Sequence, residues 1–259
     1  MNKTRKIAII ILIVLIIVVF GHFLVSALRS EADFKQSLPN PDEATPMYLY
    51  IHSDGTYLFV DDARIDVVVP SLTSTYGTFL ASCGSSIDNM VLTSADDKYI
   101  QLLSSMKQYA TIDRIFLPNK ASGDFKDKIL ALYPDCTLVE ASRGDKLVSG
   151  QYVLRFYSSS EEGALHLTHG YSTFLVGGDG YLGALKGDNI TLALLPGEIL
   201  KNASIDATYA VVEDYTSASE YGAVTVNVAK KPTSSVFCLS DGQNLIFDFS
   251  FEKTGKLAQ

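Results

Sequence analysis

The chain has 259 residues, 47% hydrophobic and 19% charged, with a formal net charge of −8. That balance excludes a wholly disordered chain or a coiled coil, and the length allows one large core or two small ones. Mean hydropathy is +0.17, high for a soluble protein, and the apolar excess lies at the N-terminus.

Lys3, Arg5 and Lys6 precede an apolar run from Ile7 to Leu28. As a helix it would be about 33 Å long, enough to cross a bilayer. The basic residues before it, against Glu31 and Asp33 after it, place the N-terminus in the cytoplasm and the rest outside. Residues 1–29 therefore read as a cytoplasmic tip and a single-pass signal anchor in the plasma membrane. The rival reading is a cleaved signal peptide, because Val25-Ser26-Ala27 resembles a cleavage site and cutting after Ala27 would release a secreted protein. His22, near the end of the span, reads as an interfacial side chain.

Beyond that segment the chain carries 17 basic and 29 acidic groups, a net of −12. Such a field disfavours nucleic acid or an anionic lipid surface unless basic residues are segregated locally. Lys230-Lys231 is the one adjacent basic pair there. Cys83, Cys136 and Cys238 are too few and too scattered for a disulfide framework or a zinc ribbon. Each sits among apolar or small residues and reads as a buried thiol, with any pairing left open.

Residues 30–46, with Pro39, Pro41 and Pro46, read as an extended stalk linker, and residues 47–259 as the folded domain. The domain opens with expected strands at Met47–His52, Thr56–Asp61, Arg64–Val69, Thr78–Ala81 and Asn89–Thr93, with an Asp54-Gly55 turn after the first. Asp97–Tyr109 reads as a helix burying Ile100, Leu103, Met106 and Tyr109. A strand at Ile112–Leu117 and a helix at Ser122–Tyr133, with Phe125, Ile129 and Leu132 on one face, come next. The remainder reads as strands: Thr137–Ala141, Tyr152–Tyr157, Ala164–Thr168, Thr173–Val176, Ile190–Leu195, Thr208–Glu213, Ala223–Val228, Ser235–Leu239 and Asn244–Phe251. Strands outnumber helices, yet βα pairs occupy the middle, so a layered α+β or α/β sandwich is expected.

The run Asn89-Met90-Val91-Leu92-Thr93-Ser94-Ala95-Asp96-Asp97-Lys98-Tyr99 has the frame of a strand running into a helix start. It resembles the metallo-β-lactamase superfamily, where a strand ending Leu-Thr is followed by His-x-His-x-Asp-His. Ile112-Asp113-Arg114-Ile115-Phe116-Leu117-Pro118, then Gly144-Asp145-Lys146-Leu147, then Val176-Gly177-Gly178-Asp179 follow in the order found in the hydrolase domain of competence-type (ComEC-like) DNA-uptake proteins. The resemblance covers roughly residues 64–250. It implies an α+β, metallo-β-lactamase-like αββα sandwich preceded by the single N-terminal transmembrane helix.

Two-metal hydrolysis needs imidazoles and carboxylates converging on cations about 3.5–4 Å apart. Carried over residue by residue, the family's ligand positions are Ser94, Asp96, Lys98 and Tyr99, then Asp179 as the bridging carboxylate, then Leu195-Pro196-Gly197-Glu198. Only Asp96 and Asp179 could ligate a metal, and the ammonium of Lys98 would repel a cation at such range. His166 and His169, at odd spacing on an extended run, point to opposite faces, and His52 lies before the matched region. Asp96 and Asp97 also read as acids at a helix N-terminus. Lys98 is expected to pair with Asp179.

Other signatures are bland. Arg143-Gly144-Asp145 reads as a strand-connecting turn; Asn189 and Asn202 fit glycosylation acceptors, a pattern common by chance. Asp54, Asp61 and Asp62 read as surface acids. The expectation is thus a membrane-anchored extracytoplasmic pseudohydrolase with no catalytic residue and no cofactor, acting as a binding or scaffolding module. One alternative is an active zinc or manganese phosphodiesterase or nuclease using Asp96, Asp179 and a histidine. Another is a cell-envelope factor that recognises a protein partner through an apolar or Tyr-rich surface, the chain having 14 Tyr and no Trp.

Overall fold

The computed structural model describes residues 13, 15–21, 25–26, 31, 33–35, 37–61, 64–73, 85–118, 120–142, 144–158, 163–176, 190–195, 204–212, 225–228, 236–239, 242 and 244–249. The chain divides into two compact units, Met1–Pro39 and Asn40–Gln259.

In the first unit, residues 15–21 are helical and Leu15, Ile16, Ile17, Val18, Val19 and Phe20 are exposed. Among the described residues no helix is long and apolar enough to cross a membrane. The expected single-pass span over Ile7–Leu28 therefore has no support in the described helix, and much of it lies outside the described residues.

The second unit begins inside the expected stalk. Pro41–Glu43 forms a short 3-10 turn capped by Asn40, whose side chain accepts from the Asp42 N–H. The Tyr171 hydroxyl donates to Asp42 Oδ1 at 2.7 Å, and the Thr45 N–H donates to Gln151 Oε1 at 2.7 Å. These side-chain bonds tie residues 42–45 to the domain where the prolines alone suggested free extended chain.

The domain's strands are β1 (Met47–Ile51), β2 (Tyr57–Asp61), β3 (Arg64–Val69), β4 (Ser86–Val91), β5 (Thr111–Pro118), β6 (Thr137–Ala141), β7 (Lys146–Ser149), β8 (Tyr152–Ser158), β9 (Gly163–His169), β10 (Ser172–Val176), β11 (Ile190–Leu195), β12 (Ser204–Val212), β13 (Thr225–Val228), β14 (Val236–Cys238) and β15 (Leu245–Phe249). Helix α1 spans Asp97–Met106 and α2 spans Gly123–Leu132. The first sheet runs β15-β1-β2-β3-β4-β5-β6; the second runs β13-β12-β11-β10-β9-β8-β7, with β14 also beside β12. Strands β3 to β6 are parallel, as are β10 to β13 with β14, and the hairpins at the margins are antiparallel. The expected strand Thr78–Ala81 lies outside the described residues.

Each sheet turns one face to the other. Leu49, Phe59 and Val67 meet Leu154, Leu167 and Phe174 there, all fully buried. Burying each such side chain contributes about 1.5–3 kcal/mol. The Phe174 ring stands edge-on to Phe59 at 5.3 Å and to Phe249 at 4.9 Å, an arrangement that favours aromatic contacts. The other face of the first sheet packs on both helices, with Leu58, Val68 and Met90 against Tyr99, Leu103, Phe125 and Ile129. The expected helical stripe of Ile100, Leu103, Met106 and Tyr109 is corrected: the buried stripe is Tyr99, Leu102, Leu103 and Met106, and Tyr109 lies past the helix end, 41% exposed. Among the described residues, helices cover this one face.

The alternation of faces slips in β3, β4 and β5. Ile65 faces the helices while Val67 faces the second sheet, although they are two residues apart. The register with β2 shifts at the same level, between Phe59 and Val60. Ile87 and Asn89, then Ile112 and Arg114, repeat the pattern on the neighbouring strands, since Asn89 and Arg114 both reach Ser149 of the second sheet. Because Ile65 pairs Ile87 and Ile87 pairs Ile112, the slip crosses three strands in register, in the manner of a shared β-bulge.

Candidate functional site

Strands β3 to β6 all finish at one end of the sandwich, the end where ligands gather in open parallel sheets. A cavity of ≈ 20 Å³ lies there, about the room one water needs. From the first sheet it is walled by Val69, Val91, Phe116, Pro118 and Ala141, and from the second by Phe156, Leu165 and Val176. The Phe116 and Phe156 rings stack across it at 4.8 Å. Among the described residues, Thr93 supplies the cavity's one side-chain hydroxyl.

That hydroxyl is committed. Thr93 Oγ1 lies 2.9 Å from the Tyr99 hydroxyl, which is 3.2 Å from the Pro70 carbonyl. A carbonyl only accepts, so Tyr99 donates to Pro70 and Thr93 donates to Tyr99. Burial raises the Tyr99 phenol above its ordinary pKa, a shift that the bond from Thr93 opposes. Tyr99, 1% exposed, is thus a packed residue of α1 that closes a three-member chain.

The other positions carried over from the resemblance are placed as follows. Asp96 is the N-cap of α1, and its carboxylate accepts the Lys98 N–H at 2.8 Å. Asp97 follows in the first turn and pairs with Lys128 at 3.2 Å. Ser94 is half-buried, and Lys98 is exposed. Asp179 and Pro196 lie outside the described residues, and with them the expected Lys98–Asp179 pair.

Among the described residues, no histidine lines the cavity. His52 sits in the β1–β2 turn, its Nδ1 3.6 Å from Asp54 Oδ1. His166 is buried on the face of β9 turned away from the first sheet. His169 is on the inner face, four residues beyond Leu165, which is about 13 Å along the strand. There its ring packs edge-on against Tyr152 at 4.5 Å. Among the described residues, no three His, Cys, Asp or Glu side chains group to hold a metal. The donors of residues 93–99 do not fit a metal centre: the Thr93 and Tyr99 hydroxyls bind each other, the Asp96 carboxylate caps a helix, and Lys98 is a cation.

Toward the opposite end, polar groups lie between the sheets. Asn89, 1% exposed, donates through Nδ2 to the Asp66 carbonyl at 2.8 Å and to Ser149 Oγ at 3.1 Å. Arg114 Nη2 donates to the same oxygen at 2.8 Å. Cys136 and Cys238 are buried; Cys83 is outside the described residues. The Ser142 N–H donates to Asp145 Oδ2 at 2.7 Å, and Gly144 has a positive φ of 91°.

No protein-family model and no curated protein sequence matches the chain. Among solved structures, it is similar to the metallo-β-lactamase fold protein YhfI from Bacillus subtilis, at 11% identity and a TM-score of 0.55, over 78% of this chain and 99% of that one. It is similar also to CmlA, a diiron β-hydroxylase from Streptomyces venezuelae, at 12% identity and a TM-score of 0.44, over 73% and 38%. A third is Zn2+-bound PqqB from Methylobacterium extorquens, at 11% identity and a TM-score of 0.40, over 57% and 58%. Two of the three are described by the metals they hold. The expectation of no cofactor is corrected: the chain is similar to a protein of the metallo-β-lactamase fold, and the absence of a metal is not a property assigned to it. The likeness to YhfI bears on architecture alone, and the chain's two sheets with their helices have the metallo-β-lactamase fold.

Proposed function

We propose that the domain is a catalytically silent relative of metallo-β-lactamase-fold hydrolases, acting outside the cytoplasm as a binding or scaffolding module anchored through residues 7–28. The observation that carries this reading is the apolar strand-end cavity with its neighbouring donors already engaged: Thr93 to Tyr99, Tyr99 to Pro70, and Asp96 to the start of α1. Hydrolysis needs a water held and deprotonated at such a place, and the described wall of Val, Phe, Pro and Ala offers it neither charge nor orientation. A metal bound by this chain would draw its ligands from outside residues 93–99. The order of the matched segments supports a likeness to the ComEC-like hydrolase domain, and the proposed partner is another protein of the cell envelope.

The test is zinc and manganese titration of the full chain by calorimetry, run beside a phosphodiester assay with bis(p-nitrophenyl) phosphate. The expected outcome is no metal-dependent turnover, in wild type and Asp179→Ala alike. Turnover that Asp179→Ala removes while circular dichroism is unchanged would establish an active hydrolase and end this reading.

A further inference from the structure

The second sheet carries two hairpin turns built alike. Gly150-Gln151 joins β7 to β8, and Gly170-Tyr171 joins β9 to β10. Gly150 and Gly170 have φ of 57° and 55°, the left-handed conformation that a two-residue hairpin asks of its first central residue and that glycine adopts freely. Tyr152 and His169 are register partners, so both turns lie at the same end of the sheet. They stand two strand spacings apart, about 9.5 Å.

Each turn presents its second residue to the segment that leads into β1. Gln151 Oε1 accepts the Thr45 N–H at 2.7 Å and the Thr45 hydroxyl at 3.1 Å. The Tyr171 hydroxyl donates to Asp42 Oδ1 at 2.7 Å. Asp42 and Thr45 are three residues apart, a reach of at most about 10–11 Å, so the two turns are spaced to hold these two positions.

The held segment is light. No side chain from Asn40 to Pro46 is buried. Pro41–Glu43 keeps its own 3-10 turn through Asn40, whose Nδ2 also donates to Glu43 Oε1 at 2.9 Å. The next residue, Met47, is fully buried and pairs with Phe249. Detaching residues 40–46 therefore removes no buried side chain from the core, and Met47 stops the detachment. Segments with few buried apolar contacts are the ones that open locally. Extended, these seven residues span about 23–25 Å.

We propose that Gln151 and Tyr171 form a clasp that docks residues 40–46 on the turn end of the second sheet and opens to release them as tether. Closed, the clasp holds the chain short; open, it lengthens the chain ahead of β1 while the sandwich stays folded. The consequence rests on the membrane-anchored reading: the clasp sets how far from the bilayer the domain can reach.

The first experiment needs no bilayer. The full chain in detergent micelles is digested with a Glu-specific endoprotease, and cleavage after Glu43 is followed by mass spectrometry. Tyr171→Phe and Gln151→Ala are each expected to speed that cleavage severalfold, and the double variant at least tenfold, with the urea midpoint unchanged. An unchanged rate in the double variant, or a faster rate that comes with a lower urea midpoint, overturns the clasp. The second experiment places the full chain in nanodiscs with a dansyl-labelled lipid. Exposed Leu130→Trp then supplies a single donor in a chain that has no tryptophan. Energy transfer is expected to fall when the clasp substitutions are added, and equal transfer overturns the change in reach. Failure of the chain to enter the discs would instead sink the anchored reading and leave the protease result standing.

Discussion

The space between the two sheets has two unlike ends built from the same strands. Where β3 to β6 finish, Val69, Val91, Phe116 and Ala141 enclose an apolar cavity. Farther down, β4 and β5 turn Asn89 and Arg114 inward, and both donate to Ser149. Strand ends are where open parallel sheets place ligand chemistry, and here the described residues of that end are packed apolar side chains. Buried Asn89 and Ser149 bind each other farther down and join the two sheets.

Four substitutions break or sharpen that contrast, read by urea unfolding of the domain. Phe116→Ala removes one of the stacked rings at the apolar end and is expected to cost about 3–5 kcal/mol; a loss below about 1 kcal/mol would mean that this end is not packed as a core. Asn89→Ala leaves the Asp66 carbonyl and Ser149 without their buried donor and is expected to cost about 1–3 kcal/mol. A null result there would reduce the polar end to decoration.

Tyr99→Phe, costing about 1.5 kcal/mol, strands the Pro70 carbonyl and the Thr93 hydroxyl. It also has a pH signature. Burial raises the Tyr99 phenol, so the native state keeps that proton after the unfolded chain has lost it near pH 10. The resulting stability is whole below that value and is lost as pH rises toward the folded value. Tyr99→Phe should flatten part of this alkaline decline in a stability-against-pH series. Asp96→Ala has the smallest expected effect, about 1 kcal/mol for a lost helix cap, with zinc affinity unchanged. A fall in zinc affinity would give Asp96 back the ligand role that the resemblance assigned to its position.

Much of the framework was legible because its signals are local. Arg64–Val69, Thr137–Ala141 and Ile190–Leu195 match the expected strands end to end, each a run rich in β-branched or apolar residues. Asp96 was readable as a helix-start acid from the residues around it. The face of α1 was misread because a spacing of three alone drifts around a helix, whereas the buried set includes the adjacent pair Leu102 and Leu103. Strand β7 was absorbed into the turn before it: four residues with a charged start give little alternation. The Thr93–Tyr99–Pro70 chain was invisible, since Pro70 is 29 residues from Tyr99 and carries the bond on its backbone.

The slip shared by β3, β4 and β5 fixes how these strands can change length. Between the slipped pairs sit Asp66, Asp88 and Asp113, one on each strand. Deleting any one of them would restore regular alternation to its own strand and throw it out of step with its neighbours. Shortening is tolerated here only as a coordinated triple event, so the three central strands should hold their lengths across descent while the loops between them vary freely.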